Sequence, residues 1–134
     1  MPDWDTVVEI GLRFPGVEVA TSYGTPALRV RGKGMCRLRT DPDALVVRVI
    51  DLDDREALLR SRPETYFSTP HYDGYPYVLV RLDTVAPGEL AELIEDAWRI
   101  RAPKRLVAEH DAAVSVTRKP RQTGARDGNT QRQR

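Results

Sequence analysis

The sequence predicts an α+β fold in which helices cover one face of an antiparallel sheet. Two observations carry this prediction. Apolar residues recur with the 3.6-residue period of a helix near residues 4–12 and 87–98, and between these segments they alternate with the two-residue period of a strand. The resulting order is helix, three strands, short helix, strand and long helix. The chain of 134 residues is long enough for one such domain.

The first helix is predicted from Asp3 to Phe14, with Asp3 as its N-cap. Its apolar stripe consists of Trp4, Val7, Val8 and Leu12. Pro15 and Gly16 then end the helix. Because the apolar residues share one side, we expect this helix to lie on the sheet.

Four strands with alternating apolar and polar residues follow. They are predicted at residues 28–31, 36–39, 45–49 and 78–82. Gly32–Gly34 is interpreted as the turn of a hairpin between the first two strands. Residues 41–43, which include a proline between two aspartates, make the next turn.

Three further helical segments are predicted. Asp51 begins a short helix that ends near Ser61, with acidic residues where the helix dipole favours them. Pro87 begins the longest helix, and Pro103 ends or kinks it because proline cannot donate to the helical ladder. Residues 104–111 form the last helical segment.

Charge divides the chain near residue 113. Residues 1–113 carry 15 Lys/Arg and 19 Asp/Glu, whereas residues 114–134 carry six basic residues and only Asp127 as an acid. We therefore expect one folded domain over 1–113 and a basic, disordered tail over 114–134. No apolar run approaches the length of about 18 residues that a membrane span needs. The expected location is the cytoplasm, with no membrane partner.

An arginine-rich sheet face is the first candidate site. If the apolar strand residues point to the helices, their neighbours point away on one open face. The arginines among these neighbours are Arg29, Arg31, Arg37, Arg39, Arg48 and Arg81. They are interpreted either as ordinary solvent-facing polar residues or as a platform for phosphates, because guanidinium groups bind phosphate in bidentate fashion.

Two loops of similar composition form the second candidate site. Residues 21–26 contain Tyr23, and residues 69–76 contain His71, Tyr72 and Tyr75. If these loops meet, they form an aromatic pocket with His71 inside. The alternative interpretation is an ordered loop that packs over the sheet edge, with His71 as a structural histidine.

Enzyme chemistry finds little support in the sequence. Cys36 occupies an apolar strand position and is expected in the core, and a lone cysteine excludes an internal disulfide. His71 and His110 are too far apart in sequence to predict a metal site. No Gly-rich phosphate loop is present. We therefore expect no catalytic residues, no metal and no cofactor.

Three segments resemble the MmcQ/YjbR family. They are Ser22–Ala27, Thr69–Pro76 and Ala102–Leu106. The resemblance covers roughly residues 3–111 and implies a CyaY-like, frataxin-resembling α+β fold. It also implies a DNA-binding protein, a label the family commonly carries. The matching positions are Tyr23, Gly24, Pro26, His71, Gly74, Pro76, Lys104 and Arg105.

The leading functional hypothesis is a non-enzymatic protein that binds DNA weakly and with little sequence preference. The contacts would come from the arginine-rich face, from Lys104 and Arg105, and from the basic tail. The alternative is a small-ligand or protein-interaction module that uses the pocket of Tyr23, His71, Tyr72 and Tyr75.

Overall fold

The computed structural model describes residues 2–22, 24–39 and 44–117. The helices are α1 (Trp4–Gly11), α2 (Leu52–Ser61), α3 (Pro87–Arg101) and α4 (Lys104–Thr117), and Pro70–Tyr72 forms a short 3₁₀ turn. The strands are β1 (Val17–Ser22), β2 (Thr25–Val30), β3 (Lys33–Arg39), β4 (Ala44–Arg48), β5 (Tyr66–Phe67) and β6 (Tyr77–Val80).

The strands form one sheet in the order β1-β2-β3-β4-β6-β5, and every neighbouring pair is antiparallel. Strand β6 therefore lies between β4 and β5, although it follows both along the chain. This arrangement confirms the predicted α+β class with an antiparallel sheet.

Helices α1 and α3 cover one face of the sheet. Fully buried strand residues on this face are Leu28, Val30, Leu45, Val47, Val78 and Val80. Helix α3 contacts α1, β3 and β4. The buried indole N–H of Trp98 donates to the Pro15 carbonyl at 3.0 Å, and its ring stacks on Phe14. The segment after α1 is thereby fixed to α3.

Local signals explain where α1 begins. The Asp3 carboxylate accepts a hydrogen bond from the Thr6 backbone N–H at 3.0 Å, and the Thr6 hydroxyl accepts from the Asp3 N–H. This capping box satisfies two of the unpaired N–H groups at the helix start. The hydrogen bonds from Thr6 lower the pKa of Asp3. The predicted N-cap is confirmed.

The structure adds two strands to the prediction and moves one turn. Strands β1 and β5 were not expected. The first predicted hairpin turns at Arg31 and Gly32 rather than at Gly32–Gly34, with φ angles of 52° and 82°. Two successive positive φ angles are what a two-residue type I′ turn requires. A register shift after Leu28 places Met35 as an extra residue in β3.

Residues up to Pro103 form one compact unit, and a second unit begins at Lys104. Helix α4 passes the predicted domain boundary at residue 113, since residues 114–117 are its last turn. The remainder of the predicted tail, residues 118–134, lies outside the described residues. Its expected disorder stays a prediction.

Candidate functional site

Strand register brings four of the six predicted arginines to the face opposite the helices. Residues paired across an antiparallel ladder point to the same side of the sheet. The pairs Ala27–Arg37 and Arg37–Val46 connect β2, β3 and β4 on this side, and Arg39 pairs with Ala44. By the two-residue alternation, Arg29 and Arg48 lie on the same side. We call this side the arginine face.

The other two arginines lie outside the strands. Arg81 follows the end of β6, where its guanidinium lies 4.3 Å above the centre of the Phe67 ring. Arg31 occupies the β2–β3 turn with a positive φ angle and does not lie on the sheet face. Its predicted place on that face is wrong, because the turn needs two residues and takes Arg31 as the first of them.

The arginine face is not open, which corrects the second part of the prediction. An apolar cluster of Ala44, Val46, Tyr72 and Leu79 is buried on it, with Phe67 and Tyr77 packed alongside. The segment from Ser68 to Pro76, which we call the covering loop, lies over the sheet here and supplies Tyr72. A flat platform for phosphates is therefore absent from the middle of this face.

The arginines on this face bind to the protein itself. Arg37 donates to the Tyr72 hydroxyl at 2.6 Å, and Arg39 donates to the Thr69 hydroxyl at 3.4 Å. Both contacts attach the covering loop to β3. On β2 and β4, Arg29 donates to the Thr21 carbonyl and Arg48 donates to the Val49 carbonyl, each at 2.9 Å.

A cavity of about 440 Å³ lies between the covering loop and the sheet. Tyrosines, a histidine and an arginine line its sides, and residues of the sheet form its base. The lining residues are Ser22, Gly34, Met35, Cys36, Arg37, Val46, His71, Tyr72, Tyr75 and Tyr77. Cavities between about 300 and 1,000 Å³ hold small organic ligands in other proteins.

The structure brings together three of the four residues predicted for the pocket: His71, Tyr72 and Tyr75. The fourth, Tyr23, lies outside the described residues, but its neighbour Ser22 lines the cavity. The ends of loops 21–26 and 69–76 therefore border the same space, as the pocket hypothesis requires.

Arg55 of α2 forms hydrogen bonds with residues at or next to the two ends of the covering loop. Its side chain is buried, at 5% exposure, and its guanidinium donates to the Tyr77 carbonyl at 2.9 Å and to the Ser68 hydroxyl at 2.5 Å. The carboxylate of Glu56 accepts from the same group at 2.7 Å. Arg55 thus binds both ends of the covering loop.

The predicted basic pair Lys104 and Arg105 starts helix α4, in the second unit of the chain. Both residues are exposed, and Arg105 lies 3.9 Å from Glu109 one turn later. An exposed ion pair at this spacing adds only a few tenths of a kcal/mol to helix stability, about 0.3–0.5. These residues belong to α4 and are described apart from the arginine face.

The one cysteine of the chain lines the cavity and is not an activated nucleophile. Burial raises the pKa of Cys36 to about 12, so its thiol stays protonated and is a poor nucleophile. Among the residues with described positions, no three His, Cys, Asp or Glu side chains are grouped as a metal site would need. The arrangement can bind a ligand through donors and aromatic rings.

Sequence reasoning missed Arg55 and Tyr77 as parts of this site. Arg55 looks like an ordinary charged residue of a short helix, and only its burial reveals its role. Tyr77 lies between the Thr69–Pro76 segment and the predicted fourth strand. Its two-residue alternation with Leu79 could have placed it on the arginine face.

In the described part of the chain, no helix has both the length and the apolarity needed to cross a membrane.

Two mycobacterial proteins are similar in sequence to this chain. The uncharacterized protein Rv2570 of Mycobacterium tuberculosis (strain ATCC 25618 / H37Rv) and the uncharacterized protein Mb2600 of Mycobacterium bovis (strain ATCC BAA-935 / AF2122/97) are each 51% identical to this chain over 89 residues. These residues cover 64% of this chain and 69% of each relative.

A solved structure supports the fold alone. The crystal structure of Deinococcus radiodurans protein DR2400, a DUF419 domain, superposes with a TM-score of 0.63 at 20% identity. The match covers 73% of this chain and 77% of that chain.

The YjbR family model matches residues 12–100, a range that contains the first two of the three motifs and both borders of the cavity. The match extends over more than half of the chain and confirms the resemblance. The protein therefore belongs to the MmcQ/YjbR family.

Proposed function

We propose that this protein is a binding module for a small organic molecule, which occupies the cavity under the covering loop. The observation that carries the proposal is the cavity itself, of about 440 Å³, with three tyrosines, a histidine and an arginine in its walls. Aromatic walls with a few convergent polar groups are typical of ligand sites. Among the described lining residues, the protonated thiol of Cys36 is a poor nucleophile, which favours binding over reaction at this site.

A metabolite screen tests this proposal. Compounds that raise the melting temperature of the full chain are taken to calorimetric titration against the wild type and Tyr75→Ala. Tyr75 lines the cavity and is 58% exposed, so its truncation removes ligand surface with little loss of packing. We expect binding to weaken at least about tenfold, as for an aromatic anchor.

The matched control is Leu12→Ala, an exposed apolar residue that does not line the cavity. Its affinity for each compound should equal that of the wild type. The proposal fails if no compound in the library binds, or if every bound compound has the same affinity for Tyr75→Ala.

Nucleic acid is the second candidate partner. One observation favours it: in the part of the chain with described positions, no carboxylate forms an ion pair with Arg29, Arg39, Arg48 or Arg81. Their charges and that of the basic tail support weak contacts with phosphates. DNA would contact the periphery of the arginine face, because the covering loop occupies its middle.

A cytoplasmic location stays a prediction.

Salt titration separates this candidate from the first. With about four to six phosphates neutralised, a fourfold rise in salt should weaken binding to duplex DNA by roughly two to three orders of magnitude. Arg39→Ala with Arg48→Ala should weaken it for all sequences alike. Arg13→Ala with Arg60→Ala removes the same charge from exposed positions on helices or their ends and is the control. If no DNA binds at low salt, or if both double variants lose affinity for DNA equally, the arginine face is excluded as the DNA contact.

A further inference from the structure

Tyrosine hydroxyls in the cavity walls have no hydrogen-bond acceptor among the described residues. The Tyr72 hydroxyl accepts from Arg37 at 2.6 Å, which occupies an acceptor position and leaves its own proton free to donate. Within the described residues, this proton has no acceptor. Tyr72 is only 8% exposed, so a buried donor without a partner faces the cavity that it lines. Such a buried donor needs an acceptor, which a ligand or a water molecule in the cavity can supply.

Two more tyrosine hydroxyls border the same space. Tyr75 and Tyr77 line the cavity, and neither side chain forms a hydrogen bond within the described part of the chain. Among the lining residues that the structure describes, none is an aspartate or a glutamate, and Arg37 supplies a cation. Donors beside a cation match a ligand that carries a negatively charged acceptor.

The rest of the wall is aromatic and apolar. The ring centres of Tyr72 and Tyr77 lie 5.9 Å apart, with an interplanar angle of 48°. The ring centres of His71 and Tyr72 lie 4.8 Å apart in an edge-to-face arrangement. Met35 and Val46 line the same cavity from the sheet. Such surfaces favour a planar, apolar group, because aromatic rings attract each other in stacked or edge-to-face geometry.

Together these features define a chemical class. We infer that the cavity binds a planar aromatic anion, in which one or two rings contact the tyrosines and a carboxylate or phosphate accepts from Tyr72 and Arg37. The inference rests on the proposed function, and it names the class of ligand.

Matched probes test the two halves of this inference on the wild-type full chain. Naphthoate has the rings and the charge, naphthamide has the rings alone, and cyclohexanecarboxylate has the charge alone. In calorimetric titration, naphthoate should bind with a dissociation constant below about 1 mM and at least about tenfold more tightly than either analogue. Naphthyl phosphate, tested beside naphthoate, distinguishes a phosphate ligand from a carboxylate ligand, and tighter binding of either supports the inference.

Two tyrosine variants locate the anion. Tyr72→Phe keeps the ring and removes the hydroxyl, and it should weaken naphthoate binding about tenfold while naphthamide binding changes little. Tyr66→Phe is the control, because the Tyr66 hydroxyl donates to Glu89 and does not line the cavity. It should leave the affinity for naphthoate unchanged.

The possible failures have different meanings. If naphthamide binds as tightly as naphthoate, or if Tyr72→Phe binds naphthoate like the wild type, the aromatic-anion inference is overturned and the small-ligand proposal stands. If no probe binds while other metabolites do, the inference is again overturned. If neither the probes nor the metabolite library bind, both are overturned.

Discussion

Gly11 is the residue at which helix α1 comes closest to the sheet. A Cβ atom there would lie 2.4 Å from Cδ1 of Leu28, which is fully buried. Gly11→Ala must therefore displace Leu28 or the helix. We expect the free energy of unfolding to fall by about 1–3 kcal/mol, the usual cost of overpacking a core, as measured by denaturant titration.

Gly88→Ala is the control for that prediction. Gly88 lies in the first turn of α3, and a Cβ atom there meets nothing within 4 Å. Since alanine is the better helix former, this variant should be as stable as the wild type or up to about 1 kcal/mol more stable. Equal effects at the two glycines would contradict the close approach of α1 to Leu28.

Cys36 offers a second test at the scale of a single residue. Burial raises the pKa of its thiol to about 12, which keeps the reactive thiolate scarce at neutral pH. The rate of thiol alkylation should therefore be low in the native protein, and it should rise steeply when guanidinium unfolds the protein. Rapid stoichiometric labelling under native conditions, followed by intact mass spectrometry, would show instead that the β3 edge of the cavity admits reagents.

The covering loop is an element whose position can be tested through one buried side chain, that of Arg55. Arg55→Leu removes the donors to the Tyr77 carbonyl and the Ser68 hydroxyl and leaves both groups buried or half-buried without them. We expect a loss of about 2 kcal/mol in the free energy of unfolding, together with faster amide hydrogen exchange in residues 68–77.

Arg60→Leu removes an exposed arginine from the same helix and is the matched control. Its hydrogen exchange in residues 68–77 should equal that of the wild type. If Arg55→Leu accelerates exchange equally in all elements, then Arg55 stabilises the whole domain and does not hold the covering loop in particular.

Elements with a long, regular pattern could be predicted from the sequence, and irregular ones could not. Helix α1, strands β3 and β4 and the proline at the start of α3 lie in the expected places. Of the predicted stripe of α1, however, only Val7 is buried, together with Ile10 and Gly11, and Leu12 is exposed beyond the end of the helix. Strand β1 was missed although Val17 and Val19 alternate with polar neighbours. Strand β5 has only two residues, which is too short for any periodic signal.

The candidate site, too, could be predicted from the sequence only in part. The composition of residues 69–76 marked them as unusual, and they do line the cavity. Their path across the arginine face depends on Arg55, Arg37 and the apolar residues Val46 and Leu79, which come from four other elements. Contacts between elements distant in sequence leave no local pattern, so the covered face could not be predicted.

At the scale of the whole molecule, charge is distributed unevenly along the chain. Residues 118–134 contain six basic residues, one acidic residue and no aromatic residue. Removing them should change the melting temperature by less than about 4 °C, because such a composition supplies almost no apolar surface to bury. Scanning calorimetry of the full chain and of residues 1–117 makes the comparison.

The same truncation predicts a change in any binding to DNA. It removes a net charge of +5 and leaves residues 1–117 with −4, so the slope of log affinity against log salt should become shallower. A fall in melting temperature well above 4 °C would mean that the tail contributes packing to the fold. An unchanged salt slope would place the DNA contacts, if there are any, on residues 1–117.

The late insertion of β6 between β4 and β5 has a consequence for synthesis on the ribosome. Strands β1 to β4 pair with neighbours in sequence and can assemble as they emerge, but the slot beside β4 stays empty until residue 80 has left the exit tunnel. During that interval β4, which carries Leu45 and Val47, is an unprotected apolar edge. Chains that end before Tyr77 keep this edge permanently, and they are the products most prone to aggregate edge to edge.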